Sequence, residues 1–317
     1  MDLVTSHETD HHHHHHRATV KLTRRELFLS CIGSHEFYSL EMWRAATTEL
    51  VATACLIFTL TTSIISCLNS HEAEPKLLVP FAVFIIAFLF LMVTVPLSGG
   101  HMSPVFTFIA ALKGIITLAR AAIYVFAQCL GSIISFVIMS SVMSQNAAQK
   151  YFYGGCIIEG NGETRGIDAE TALILEFTCT FVVLFVGVTV AFDKRRCKEL
   201  GLGMVCGIVA GAMAIAVFVS ITITGEAGYS GVGLNPARCL GPALIHGGSL
   251  WEGHWVFWVG PFVACIVYYG YTKTLPREGL LWDTSDYDFI SLVRAFISGT
   301  AIPPHLQDKS KDINTNM

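Results

Sequence analysis

The sequence predicts an all-α membrane protein, with six transmembrane helices plus two re-entrant half-helices in an inverted repeat. Three observations lead there. The 317 residues are 53% hydrophobic and 14% charged, with a mean hydropathy of +0.56, a balance that excludes an ordinary soluble domain. The apolar residues gather into six runs of span length separated by polar links. Two more apolar stretches, each opened by a capping residue and a proline, are too short to cross a hydrocarbon layer of about 30 Å.

Residues 1–40 form a polar N-terminal segment with a basic cluster at Lys21, Arg24 and Arg25. The His11–His16 run within it reads as a purification tag rather than a native metal-binding tract. The first span, about Ala45–Cys67, is full length and has no small-residue cleavage site, so it is expected as a retained helix and not a secretory signal. A second span lies near Leu77–Leu97, and a third, at about Ala121–Val142, follows a basic segment with Lys113 and Arg120. Residues 143–170 make the longest polar connection, with Glu159, Glu163, Asp168 and Glu170 set against Lys150 and Arg165, and read as an external loop.

The fourth span covers about Thr171–Phe192, and a short link from Asp193 to Glu199 leads into a fifth at about Leu202–Thr224. The sixth lies near His254–Tyr271, completing a channel domain over residues 41–275. Cations gather before the first span, between the second and third, between the fourth and fifth, and at Lys273 and Arg277 after the sixth. By the positive-inside rule both termini are cytosolic. Lys194, Arg195 and Arg196 in the fourth-to-fifth link either obey that rule alone or cap the cytosolic mouth. In the tail, residues 276–317, a helical stripe of Phe289, Ile290, Leu292, Val293, Phe296 and Ile297 suits either the cytosolic leaflet or the side of the bundle. Residues beyond Pro303 have the composition of a disordered end.

The half-helices carry the chemistry. In Gly231–Ala243, GVGLNPARCLGPA, Asn235 is a good N-cap and Pro236 occupies the first helical position, where its missing N–H costs nothing. In Ser98–Phe108, SGGHMSPVFTF, Ser103 and Pro104 repeat the device. One copy in each half of the chain marks an inverted repeat whose half-helices meet near the midplane. Arg238 lies in the first turn of the second copy, where a cation is unfavourable beside the positive helix end, so it points to a water-lined site rather than lipid.

Glu49 in the first span and Glu176 in the fourth sit at matching repeat positions. A bare carboxylate in an apolar span needs partners, and the reading preferred for both is to accept hydrogen bonds from the irregular backbone before each half-helix. A proton relay is the alternative. Of the ten cysteines none forms a CxxC pair, and Cys55, Cys129, Cys179, Cys206 and Cys265 fall in apolar spans as small buried hydrophobes. Cys67 and Cys156 face the non-cytosolic side, where either has the setting for a disulfide. No metal site, cofactor or nucleic-acid partner is expected, because ligand spacing and long basic runs are both missing from the sequence. An enzyme is not expected either, since no nucleophile and base lie on facing spans.

The paired signatures SGGH-x-Ser103-Pro104-Val105 and Gly-x-x-Asn235-Pro236-Ala237-Arg238 resemble those of the major intrinsic proteins, the aquaporins. The resemblance covers about Glu41–Lys273 and implies an aquaporin-like fold and a homotetramer with one pore per protomer. The first motif departs from the family pattern, with Ser103-Pro104-Val105 where Asn-Pro-Ala is usual. Serine still caps, with one hydroxyl donor in place of an amide. Together with Cys239 after the second motif and Gly154-Gly155-Cys156 in the long loop, this departure resembles the plant X intrinsic proteins, a subfamily of the aquaporins.

Carried over by ungapped counting, the family's selectivity constriction falls on Val83, Ile223, Val232 and Arg238, with Thr222 or Thr224 replacing Ile223 if the count slips. Water-selective members place an aromatic and a histidine at the first two positions; here both are aliphatic and smaller. The resemblance therefore implies passive passage of small uncharged solutes such as boric acid, glycerol, urea and hydrogen peroxide, with weak water permeability and with ions and protons excluded. His101 is expected to give its backbone carbonyl to the pore and its ring to packing. A water-selective aquaporin is the runner-up, and an ion channel or proton-coupled transporter would require a charged ring or titratable chain. Residence in the plasma membrane is the expected localisation.

Overall fold

The computed structural model describes residues 29, 32–70, 72, 74–144, 146, 150–160, 165–226, 228–275 and 288–298. The histidine run, the Lys21, Arg24 and Arg25 cluster, Glu163, Arg277 and the chain beyond residue 298 lie outside them.

Nine helices follow in order among the described residues: α1 Leu40–Leu68, α2 Leu78–Ser98, α3 Pro104–Leu112, α4 Leu118–Val142, α5 Ala169–Ala191, α6 Lys194–Thr224, α7 Pro236–His246, α8 Val256–Thr274 and α9 Phe289–Ser298. Five of them, α1, α2, α4, α5 and α6, are long and apolar enough to cross a membrane by length and composition. Helix α8 has 19 residues, about 28 Å at 1.5 Å per residue, and is made less apolar by Tyr268, Tyr269 and Tyr271. Helices α3 and α7, of 9 and 11 residues, are the half-helices.

Side-chain caps fix the starts of these helices. Ser39 accepts from the Met42 N–H at 3.3 Å, Thr117 from Arg120 at 3.1 Å and Asp168 from Thr171 at 2.8 Å. Asp168 is held below the usual carboxylate range by the hydrogen bonds from the backbone and side chain of Thr171. Asp193 accepts from both Arg195 and Arg196, at 3.0 and 3.1 Å. That cap corrects one boundary: the stretch expected as a link is already helical from Lys194, and the helix is interrupted at Gly201, φ 74° and ψ 160°. Arg195 and Arg196 pair with Glu199 and Asp193. Helix α5 contains a turn of π-helix at Leu184–Val188.

The packing has the symmetry of the sequence. Helix α1 packs on α4 and α2, just as α5 packs on α8 and α6; α2 meets α6 across the middle, and half-helices α3 and α7 lie against α8 and α4. Glycine at one matched position in each half permits the closest approach. A Cβ on Gly131 of α4 would stand 2.5 Å from the Leu50 carbonyl oxygen of α1, and one on Gly260 of α8 would stand 2.7 Å from the Glu176 Cβ of α5. Between the halves, the described part of the connection after α4 packs against the segment before α7. Ser230 N–H donates to the Ile157 carbonyl at 3.1 Å, the Ile157 N–H donates to Ser230 Oγ at 3.0 Å, and Gly228 N–H donates to Arg165 at 2.9 Å.

Asp288, the residue before α9, accepts from the Ser291 N–H at 3.0 Å and pairs with Lys273 at the end of α8, while the Ile290 N–H donates to Tyr269 Oη at 3.4 Å. Of its apolar stripe, Phe289, Ile290, Val293, Phe296 and Ile297 are solvent-exposed.

Candidate functional site

The site is built where α3 and α7 meet end to end. Ser103 Oγ accepts from the Val105 N–H at 3.3 Å and Asn235 Oδ1 from the Ala237 N–H at 3.1 Å, so each half-helix opens on its own side-chain cap. The residue before each cap, Met102 at φ 47° and Leu234 at φ 53°, is in the left-handed region. This sharp reversal turns its carbonyl toward the opposite half. Asn235 Nδ2 donates to the Met102 carbonyl at 2.9 Å, and Ser103 Oγ reaches the Leu234 carbonyl at 3.5 Å. Two helix N-termini therefore converge with their dipoles opposed, a placement that concentrates positive potential between them. Pro104, Val105, Pro236 and Ala237 are buried around this junction, and Val105 packs with Ile109, Leu184 and Tyr268.

The two glutamates hold the loops that lead in. Glu49 is fully buried and accepts from the N–H groups of His101 and Met102 at 3.1 and 2.6 Å, from Ser98 Oγ at 2.6 Å and from Gln128 Nε2 at 2.8 Å. Gln128 also donates to Thr107 Oγ1 at 2.9 Å, and Thr107 contacts His101 Nδ1 at 3.2 Å. Glu176, also fully buried, accepts from the Gly233 and Leu234 N–H groups. The irregular backbone thus keeps its N–H groups paired inside the bundle. Ser98, Thr107 and Gln128 were not singled out in the sequence; the signal for Gln128 was a lone amide in an apolar span.

Arg238 is 6% exposed. Its Nη2 donates to the Gly154 carbonyl at 3.4 Å, its Nη1 lies 3.3 Å from Cys156 Sγ, and its Nε is buried without a hydrogen-bond partner among the described residues. Val83 and Val232 are buried at 5% and 3%, and the Val232 N–H is held by Ser220 Oγ at 3.1 Å.

Ile223 differs from these in being 68% exposed, while one turn earlier on α6 Ser220 Oγ accepts the Val232 N–H. The helix ends at Gly225, φ 65°, and the path from there to Gly231 sets which face of α6 meets the loop; ungapped counting cannot supply that.

Of the two cysteines singled out for a disulfide, Cys156 is bridged and Cys67 is not. Cys156 bonds to Cys239, and Cys67 is a free thiol in the last turn of α1. The connection after α4 brings Cys156 to the first turn of α7, a contact across 83 residues. At the other end of the site Lys113 ends α3, 5.8 Å from the Tyr268 ring. Burial, with repulsion from Lys273 second, pushes its ammonium down to about 8.

The sequence profile described as major intrinsic protein matches residues 36–269. The chain is 30% identical over 246 residues to a PIP-type aquaporin of Atriplex canescens, covering 75% of this chain and 82% of that one. It is 33% identical over 198 residues to an Arabidopsis thaliana protein described as probable aquaporin PIP2-5, covering 61% of this chain and 64% of the relative's length. Among solved structures, an aquaglyceroporin from Plasmodium falciparum superposes with a TM-score of 0.60 at 19% identity, covering 74% of this chain and 96% of that one, a likeness of fold. The chain thus belongs to the major intrinsic protein family, the aquaporins: it is a multi-pass membrane channel and not an enzyme.

Proposed function

We propose that this channel passes small uncharged solutes, of the class of boric acid, glycerol, urea and hydrogen peroxide, in preference to water, and excludes ions and protons. The observation that carries the reading is Arg238, a buried and permanently charged donor, supported by buried, aliphatic Val83 and Val232 at two positions that the family resemblance assigns to the constriction. A solute that sheds water at such a point is offered guanidinium hydrogen bonds on one side and apolar walls on the other. Farther in, the opposed N-termini of α3 and α7 repel cations, and the Nδ2 hydrogen of Asn235 that is not given to the Met102 carbonyl receives solute oxygens. The protein functions as a homotetramer in the plasma membrane with both termini cytosolic, a topology supported by the clustering of cations in alternate links of the sequence.

A water-selective channel is the second reading, favoured by the aquaporin names of the relatives. Stopped-flow light scattering on proteoliposomes separates the two. Slow osmotic shrinkage with fast entry of boric acid and glycerol is the expected result. Fast shrinkage with solute exclusion would transfer the function to water.

A further inference from the structure

We propose that the Cys156–Cys239 bridge, with the Gly154 carbonyl it holds in place, is a positioning clamp for Arg238, so that solute preference depends on the bridge. The inference rests on the proposed solute channel, but its test also reads out on water alone.

The bridge joins the loop after α4 to the residue directly after Arg238. Both cysteines are 1% exposed, packed with Ile158, Tyr229, Val256 and Phe257. On one side the sulfurs fill the space beside Gly233, where a Cβ would lie 2.6 Å from Cys239 Sγ and 3.5 Å from Cys156 Sγ. On the other, Cys156 Sγ and the Gly154 carbonyl are the contacts made by the two terminal nitrogens of Arg238. The same covalent link therefore bears on the loop held by Glu176 and on the guanidinium. Those contacts are weak taken singly, at 3.3 and 3.4 Å, and no carboxylate pairs with Arg238 among the described residues. A guanidinium held only by a carbonyl and a sulfur stays where the loop stays.

The loop is anchored a second time, by the paired hydrogen bonds between Ile157 and Ser230. Opening the bridge therefore leaves Ile157 and Ser230 paired, while residues 154–156, no longer tied to α7, carry the Gly154 carbonyl and Cys156 Sγ away from Arg238. A freed guanidinium turns its terminal nitrogens toward water in the lumen, narrowing the passage for solutes larger than water.

The test uses the full-length protein in proteoliposomes. Cys156→Ser, Cys239→Ser and the double variant are compared with the parent and with Cys67→Ser for boric acid entry and osmotic water flow. The expected result is a fall of at least threefold in the boric acid to water rate ratio for the three bridge variants, and no change for Cys67→Ser. If the bridge variants fail to fold, the parent is opened in the vesicle with a small phosphine, which takes the oxygen of one water to become phosphine oxide and leaves two thiols. Hydrogen peroxide then restores the bridge, each disulfide formed consuming one peroxide and releasing two waters. The ratio falls and recovers with the bridge, whose state is followed by mass spectrometry of the thiol-alkylated protein.

An unchanged ratio with the bridge shown to be open overturns the clamp. A parent that passes water alone overturns the solute reading instead; the clamp then stands or falls on a threefold change in water permeability between open and closed bridge.

Discussion

Buried hydrogen bonds at single residues set the stability of the site. Replacing Glu176 with leucine strands the Gly233 and Leu234 N–H groups, at about 1–3 kcal/mol for each buried group left unpaired. Glu49→Leu strands the His101 and Met102 N–H groups, Ser98 and Gln128 as well, so its thermal midpoint in detergent is expected to fall further than that of Glu176→Leu. An equal loss in both would mean that the side-chain partners of Glu49 add nothing. Val83→Trp is expected to cut glycerol and boric acid entry at least tenfold with water flow reduced much less, measured by light scattering. The residues legible in the sequence are those whose role is local: Ser103, Asn235 and the prolines after them announce a helix start through chemistry within three positions. The exposure of Ile223 and the pairing of Cys156 with Cys239 were not legible because they depend on how the segments after α6 and around Cys156 travel, and nothing near them in the chain encodes that path.

Among the elements, the short half-helices depend most on their ends. Ser103→Ala removes the cap of α3 and is expected to cost about 1 kcal/mol, a drop of a few degrees in thermal midpoint, whereas Ser103→Asn keeps the cap and supplies an amide donor. A midpoint unchanged by Ser103→Ala would show that α3 is held by packing alone. The α1–α4 crossing is less forgiving. In Gly131→Val the new side chain meets the Leu50 backbone, which cannot rotate away, so the variant is expected to give little or no monodisperse protein on size exclusion. Span positions were legible to within a few residues because hydropathy reports them directly. Helix α6 is the exception: Asp193 and the cations after it read as a polar link, yet the carboxylate at the helix start offsets two arginines beside the positive end.

At the scale of the whole molecule, α9 presents an apolar stripe tethered to α8 through Lys273 and Asp288. If the stripe rests on the leaflet, Phe296→Asp with Ile297→Asp will raise the protease sensitivity of the tail in proteoliposomes without altering solute flux; unchanged cleavage would place the stripe elsewhere. The repeat that organises the bundle was legible from two motifs and two glutamates, since an inverted repeat writes the same chemistry into both halves. Its most far-reaching detail is the exchange of hydrogen bonds between the half-helix caps, Asn235 to the Met102 carbonyl and Ser103 to the Leu234 carbonyl. A carrier must let its two repeats swing past each other once for every molecule delivered. Here the would-be pivot is stitched across, with each half holding the other's backbone, and a swing would tear both stitches inside the membrane. Delivery by such a molecule has no cycle to complete, so its rate is expected to climb in proportion to solute concentration without reaching a plateau.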